Sequence, residues 1–274
     1  MKQKILILAL AAVVMSACSS EYNRVLKTTD YDYKYEVAKE YFVMGKYAKA
    51  SSLLQELVTI TKGHENGQEC LYMLAMCEYC MRDYDIAADY FKKYSSSYPR
   101  GKYAENAAFY RGQSLYLNTP EPRLDQSDTY AAIAAFQEYL DLFPYGKMKR
   151  QAQERLFTLQ DKLVMKELHS AQLYFDLGNY FMNCSSGESN FEACIITSQN
   201  AIKDYPYTKM REKFAVLIMK SKFGLAEQSV DEKKLERYRD AEDECYGFIN
   251  EYPDSKERKT AEKYIAQCKK VTKG

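Results

Sequence analysis

Three stretches of the sequence repeat one another at a constant offset of 37 residues. In each stretch an aromatic, a small and a second aromatic residue stand at positions 0, +3 and +7, which lie on one side of an α-helix. The aligned sets are Tyr35, Ala38 and Phe42; Tyr72, Ala75 and Tyr79; and Phe109, Gly112 and Tyr116. A repeat of this length predicts helical hairpins that bury their apolar faces by stacking on their neighbours, as in a solenoid.

A second pattern marks where the hairpins end. The segments YPRGK, FPYGK, YPYTK and YPDSK begin at Tyr98, Phe143, Tyr205 and Tyr252. Proline cannot continue a helix, and the Gly, Thr or Ser two positions later can turn the chain and cap the next helix. The combined pattern resembles tetratricopeptide repeats. We expect an all-α solenoid of tetratricopeptide-like helical hairpins, about five in number, over residues 31–271.

The later repeats are less regular than the first two. An insert with two prolines at Asn118–Ser127 lengthens the turn inside the third repeat, and Cys184–Asn190 forms a polar loop in the fourth. One long helix is expected to link the third and fourth repeats. An amphipathic run at Lys259–Val271 is expected to cap the solenoid through Ala261, Ile265 and Cys268.

The N-terminus carries a targeting signal. Lys2 and Lys4 precede an apolar run at Ile5–Met15, which is shorter than the roughly 20 residues of a membrane span. The run ends in Ser-Ala-Cys18, which resembles the lipobox of bacterial lipoproteins. The resemblance implies a signal peptide at 1–17, diacylglycerol on Cys18 and a lipidated tether at 18–30. The alternative is an ordinary secretory signal with an incidental cysteine.

Composition argues against several function classes. With 39 basic and 38 acidic residues, the formal net charge of +1 offers no electrostatic footprint for nucleic acid. The two histidines, His64 and His169, fall in different repeats, and no strand precedes a glycine-rich phosphate loop. Tyrosine is abundant, with 26 residues, and tryptophan is absent, so tyrosine rings are expected to fill many helix contacts.

The cysteines offer one alternative with chemistry. Cys77 and Cys80 form a CxxC pair, with Cys70 on the same helix, so a zinc site or a reactive thiol is conceivable. The pair stands at the end of a helix, however, and no second ligand pair is near in sequence. We therefore expect buried free cysteines that act as small apolar side chains, no metal, no cofactor and no enzymatic activity.

Aligning the repeats gives two aromatic columns, which predict a binding surface. The first column is Tyr35, Tyr72 and Phe109, and the second is Phe42, Tyr79 and Tyr116. In tetratricopeptide repeats the first helix of each unit lines the concave face, where the columns would form two ladders of rings. An open ladder would suit an extended peptide, with rigid rings as anchors. The alternative, left open here, is plain packing between repeats. The predicted peptide-binding residues are Tyr35, Lys39, Phe42, Tyr72, Tyr79, Phe109, Gln113 and Tyr116.

The lipobox, the repeats and the proline turns together resemble the BamD family of lipoproteins, part of the outer-membrane β-barrel assembly machinery. The most specific stretch is YPRGKYAENAAFYRG at Tyr98–Gly112. The resemblance implies a non-enzymatic adaptor on the periplasmic face of the outer membrane, held there by its lipid. Its first three units, 31–165, would receive the C-terminal strand of unfolded outer-membrane proteins.

The same resemblance implies that the last two units, 166–271, dock on the central barrel subunit through that subunit's periplasmic domains, with other assembly lipoproteins as further partners. The alternative function is a periplasmic repeat scaffold of the cell envelope, similar to the coordinator associated with the Tol system and peptidoglycan synthesis. That coordinator normally has an N-terminal coiled coil, and the segment Glu21–Tyr35 shows no heptads.

Overall fold

Helices and their connecting turns make up the part of the chain that the computed structural model describes, residues 21–64, 66–178, 180 and 189–273. Consecutive helices pack on one another, which confirms the tetratricopeptide-like solenoid. The helices are α1 (21–27), α2 (Tyr31–Val43), α3 (Tyr47–Ile60), α4 (Gly67–Met81), α5 (Tyr84–Ser97), α6 (Ala104–Asn118), α7 (Ser127–Leu142), α8 (Lys149–Leu177), α9 (Asn190–Asp204), α10 (Arg211–Glu227), α11 (Asp231–Glu251) and α12 (Arg258–Thr272).

The described chain divides into two compact units. Unit 1 holds residues 21–120 and 126–159, and unit 2 holds Glu121–Asp125 and 160–273. The insert of the third repeat therefore contributes its middle to unit 2, where the Lys166 ammonium donates to the Leu124 carbonyl over 3.1 Å. The predicted division at residues 165 and 166 between binding and docking units stays a prediction.

Small residues lie where the first and second helices of a repeat meet. The repeat positions Ala38, Ala75, Ala50 and Ala87 are all fully buried. Gly112 shows why the third repeat needs an even smaller residue. A Cβ at this glycine would lie 2.8 Å from the ring of Phe136 on α7, closer than carbon atoms pack. The small positions of the repeat therefore set how closely its two helices approach.

The first two proline turns share the same arrangement of hydrogen bonds. At YPRGK the hydroxyl of buried Tyr94 accepts from the Tyr103 backbone N–H over 3.1 Å and donates to the Gln68 side chain. A Cβ on Gly101 would lie 2.5 Å from that hydroxyl, so glycine leaves the room that the tyrosine needs. At FPYGK, the same arrangement joins Tyr139 to the Met148 N–H beside Gly146.

The last two turns satisfy the same backbone N–H differently. The position five residues before the proline holds no hydroxyl here, because it is Ala201 or Phe248. The turn residue then supplies the acceptor itself. Thr208 accepts from the Met210 N–H, and Ser255 accepts from the N–H two residues after it, each over 3.1 Å. The helix start is capped by a distant tyrosine in two repeats and by a local hydroxyl in two.

Residues 21–30 are the described part of the segment predicted as a lipidated tether. Residues 21–27 form α1, and Val25 is fully buried against the first repeat. Lys34, with 1% of its surface exposed, donates from its ammonium to the Leu26 carbonyl at 3.2 Å and pairs with Glu56 at 2.7 Å. A buried lysine needs such partners. Sequence reasoning treats a lysine as a solvated residue, which is why this contact was missed.

Other features of the sequence analysis are found in the structure. The long helix between repeats three and four is α8, of 29 residues. The insert forms the connection from α6 to α7. The cap is α12, which buries Ala261, Ile265 and Cys268 as expected. Most of the loop predicted at Cys184–Asn190, the signal peptide and Cys18 lie outside the described residues.

Candidate functional site

The eight predicted peptide-binding residues divide into a buried and a partly exposed group. Tyr35, Phe109 and Gln113 are buried. Lys39 interacts with side chains of its own repeat. Its ammonium pairs with Glu36 at 2.7 Å and lies 4.4 Å from the centre of the Tyr35 ring. The rings that remain partly exposed are Phe42, Tyr72, Tyr79 and Tyr116.

The two aromatic columns do not form continuous ladders among the described residues. Tyr72 stacks on Tyr103, with ring centres 4.4 Å apart and planes 7° from parallel. Tyr79 meets Tyr110 edge to face at 5.1 Å. Both partners belong to the N-terminal part of the third repeat, and the Tyr110 ring also contacts Phe109, with ring centres 5.6 Å apart. Tyr103 and Tyr110 lie outside the three-residue pattern, so that pattern did not identify them.

A carboxylate joins the first and third repeats in the same region. Glu69 at the start of α4 accepts from the hydroxyl of Tyr35 at 3.1 Å and from that of Tyr103 at 3.3 Å. Burial, and then the negative charge of Glu69, raise the pKa of Tyr35. Burial raises the pKa of Tyr72 to about 12. Both phenols are therefore neutral at physiological pH, and the Tyr35 hydroxyl donates a hydrogen bond from the first repeat to Glu69 in the second.

One arginine completes the end of this surface. Arg155, on the unit 1 part of α8, donates from Nε to the Gln113 amide oxygen over 3.2 Å. Its guanidinium lies 4.6 Å from the centre of the Tyr116 ring. A partly exposed guanidinium that stacks on an aromatic ring is a favourable partner for a carboxylate. Sequence reasoning missed Arg155 because it lies in the linking helix, where the repeat pattern assigns no position.

Unit 2 contains an open groove. The equivalent helices of unit 1 carry stacked aromatic rings. A cavity of about 1020 Å³ lies between α8, α10 and the turn before α12. We call it the α8–α10 groove. Its apolar wall consists of Met165, Leu168, Phe175, Val216 and Leu217, and its polar rim includes His169, Gln172, Glu212, Lys213, Lys220 and Glu257.

The groove uses the same helical positions as the aromatic columns. Leu168 and Phe175 stand three residues before and four after buried Ala171, as Tyr35 and Phe42 stand around Ala38. Leucine replaces the first aromatic residue, which removes a ring at this point. The result is a concave apolar surface with a few convergent polar groups, which is the usual form of a binding site.

The rim of the groove is held by an ion pair. Lys220 on α10 donates to Glu257 over 3.0 Å. This hydrogen bond is the main reason that the pKa of the Glu257 carboxyl is lowered. The pair links the turn before α12 to α10 at the rim of the groove.

The comparison with protein families decides the class of the protein. The model of the YfiO family, described as outer membrane lipoprotein, matches residues 29–224. The chain belongs to the YfiO family. The match spans the first four repeats and the start of the fifth, and it agrees with the resemblance to BamD. No curated protein matches the chain.

Membership of the YfiO family places the protein among outer membrane lipoproteins. None of the described helices combines the length and apolar character needed to cross a membrane. Cys18, the predicted attachment point for lipid, precedes the described residues, so its modification stays a prediction.

The cysteines of this YfiO family member are packed as core residues. Five of the six described cysteines are buried free thiols, and only Cys80 is exposed. Burial raises the pKa of Cys77 and Cys245 to about 12, and that of Cys70 and Cys268 to about 11. In the described chain, no cluster of three or more His, Cys, Asp or Glu side chains could hold a metal ion. These thiols lack the low pKa of a reactive cysteine.

Alkylation of the folded protein at neutral pH is expected to modify Cys80 and to leave the five buried cysteines unreacted until denaturant is added. The reason is that the thiolate is the reacting form, and burial suppresses both thiolate and access. Peptide mapping by mass spectrometry after timed labelling measures this. Fast labelling of Cys77 would contradict the packing interpretation and favour a thiol-dependent activity.

Proposed function

We propose that the protein is a lipid-anchored adaptor of the β-barrel assembly machinery, on the periplasmic face of the outer membrane. It receives the C-terminal strand of unfolded outer-membrane proteins on unit 1 and docks on the central barrel subunit through unit 2. It works without enzymatic activity and without a cofactor. Membership of the YfiO family and the helical repeats support this proposal, and the α8–α10 groove is the observation that carries the docking part.

The docking part rests on the shape of the groove. A preformed apolar surface with ionic groups at its rim suits a segment of a folded partner, which can insert apolar side chains and align its charges with the rim. The lysines and glutamates of the rim offer both signs of charge. The central subunit would therefore be recognised by an apolar anchor flanked by polar residues.

The client part rests on Arg155 and the rings beside it. The last strand of an outer-membrane barrel ends in an aromatic residue and a free carboxylate. Tyr79 and Tyr116 offer partly exposed rings, and Arg155 offers a guanidinium next to Tyr116. Aromatic contact and a charge-assisted hydrogen bond together would fix the end of the chain.

A peptide that ends in phenylalanine with a free carboxylate is expected to bind about ten times more tightly than its C-terminal amide, because only the acid pairs with Arg155. Arg155→Gln should reduce the affinity for the acid to that for the amide. Titration calorimetry with the four combinations measures the coupling.

The control for this cycle is Arg150→Gln on the same helix. Arg150 has a side chain that is 88% exposed, and it pairs with Glu154 on the same helix. It should leave both affinities unchanged. Equal binding of acid and amide to the unaltered protein would remove Arg155 from the client site without touching the docking proposal.

Cys18→Ala is expected to release the protein from the membrane, because two or three acyl chains hold a protein firmly and nothing else in the proposal does. Carbonate extraction followed by fractionation measures the release. A variant that stays with the membrane fraction would contradict the lipid anchor.

Affinity purification of the tagged full-length protein from detergent-solubilised envelopes tests the function as a whole. A near-stoichiometric large barrel protein with periplasmic domains is the expected partner. Recovery of Tol-associated or peptidoglycan-synthesis proteins in its place would transfer the function to the cell-envelope scaffold, with the helical repeats unchanged.

A further inference from the structure

The turn between α2 and α3 exposes two neighbouring apolar side chains. Val43 is 85% exposed and Met44 is 61% exposed. Gly45 follows with φ of 72°, a left-handed conformation that glycine adopts without strain, and it turns the chain sharply at this point. The two side chains therefore stand at the tip of a tight turn and are mostly exposed to solvent.

The two lysines that follow this tip in the sequence lie over tyrosine rings. Lys46 lies 5.6 Å from the centre of the Tyr41 ring. Lys49 lies 5.1 Å from the ring of Tyr22 on α1 and 5.5 Å from that of Tyr41, and the two rings are 5.9 Å apart. Between Glu40 and Glu56 the sequence has no acidic residue. We call Tyr22, Tyr41, Val43, Met44, Lys46 and Lys49 the N-terminal patch.

The position of α1 relates this patch to the predicted lipid. Cys18 precedes Glu21, the first described residue, by three positions, and three residues of chain span at most about 11 Å. The buried Val25 and the bond from Lys34 to the Leu26 carbonyl hold α1 on the first repeat. Tyr22 belongs to both α1 and the patch. A membrane that holds the acyl chains is therefore within reach of the patch.

We propose that the N-terminal patch lies against the membrane surface, with Val43 and Met44 in the interfacial layer and Lys46 and Lys49 at the lipid phosphates. Amphipathic surfaces of this composition, with apolar side chains flanked by lysines and tyrosines, bind at the interface of anionic membranes. Two apolar side chains bind weakly alone, so the acyl chains supply the effective concentration. The patch then sets the orientation of the first repeat relative to the membrane.

This inference rests on the proposed lipid at Cys18. Because the chain contains no tryptophan, a single tryptophan introduced by mutation reports on one position. Met44→Trp in the lipidated protein gives a single fluorophore in the patch. Leu142→Trp, at a position 59% exposed at the end of α7 in unit 1, is the matched control. Both variants are reconstituted into phosphatidylethanolamine and phosphatidylglycerol vesicles, with and without bromine on the acyl chains.

Brominated lipid is expected to reduce the emission of the Met44→Trp variant about twofold and to leave that of the Leu142→Trp variant unchanged, because bromine quenches only fluorophores at membrane depth. Adding Lys46→Glu and Lys49→Glu to Met44→Trp should abolish the quenching. Circular dichroism confirms that this variant is folded.

Two results would overturn the inference. One is equal emission of the Met44→Trp variant in both kinds of vesicle while the protein floats with them. The other is failure of the protein to float, which would remove the anchor as well. Neither affects the peptide cycle with Arg155 or the co-purification, which are performed without vesicles, so failure here is distinguishable from failure of the adaptor function.

Discussion

Phe191→Ala is expected to lower the free energy of unfolding of unit 2 by about 3–5 kcal/mol, the usual cost of removing a fully packed phenylalanine. The Phe191 ring is 2% exposed and lies 5.8 Å from the ring of Phe175. It is also in contact with Gly178 and Gly224, where a Cβ would overlap the ring. The Phe191 side chain on α9 therefore packs against two other segments of unit 2, the end of α8 and α10.

A second variant tests the same contact from the glycine side. In an exposed helix, Gly→Ala stabilises by about 1 kcal/mol. At Gly224 the new Cβ would lie 2.6 Å from the Phe191 ring, and overpacking of this kind costs about 1–3 kcal/mol. Gly224→Ala is thus expected to destabilise, against the helix propensity.

Gly247→Ala on α11 is the matched control, because no atom lies within 4 Å of its Cβ position. It is expected to stabilise by about 0.5–1 kcal/mol. Urea denaturation followed by circular dichroism gives the three free energies, and hydrogen exchange of the α9 and α10 amides assigns the loss to unit 2. If both glycine variants changed the free energy of unfolding in the same direction, the contact between Gly224 and the Phe191 ring would not be tightly packed.

Gln172→Trp is expected to weaken binding to the central barrel subunit about 100-fold, because the indole fills the α8–α10 groove where the partner would insert. Gln172 is exposed and lines the groove. Its side chain is exposed and donates to Asp176 on its own helix, so the replacement leaves the core intact. Titration of the purified subunit by surface plasmon resonance measures the affinity.

Ile196→Trp is the control for the groove variant. Ile196 on α9 is 57% exposed and is absent from the lining of the groove. It should bind the subunit with unchanged affinity. Full binding by Gln172→Trp would place the docking surface elsewhere on the protein, and the family assignment would stand.

The sequence alone predicts the positions of the helices, because the 37-residue offset and the proline turns act locally. Ala38 and Ala75 are buried as their spacing requires, and α12 buries the three residues predicted for the cap. Local periodicity determines which face of a helix is buried, and that is the information a repeat carries.

The site was predicted less completely, for reasons that lie in side-chain contacts between distant residues. Tyr35 and Phe109 have the same repeat spacing as the more exposed Tyr72, but their burial depends on neighbours in adjacent helices. Arg155 reaches Gln113 from 42 positions away. The α8–α10 groove is lined by Leu168, which stands where the first three repeats have an aromatic residue, and residues of α10 and of the turn before α12 complete it.

At each proline turn the backbone N–H is bonded either by a distant tyrosine or by a local serine or threonine. This choice constrains how the repeats can diverge in sequence. Two positions seven residues apart, such as Tyr94 and Gly101 or Phe248 and Ser255, form matched pairs. Ser in place of Gly101 would collide with the Tyr94 hydroxyl, and loss of the tyrosine alone would leave the Tyr103 N–H unpaired. Either single substitution is unfavourable, so a repeat that changes from one pair to the other passes through a less stable intermediate. A chimaera of two repeats must therefore exchange both positions together.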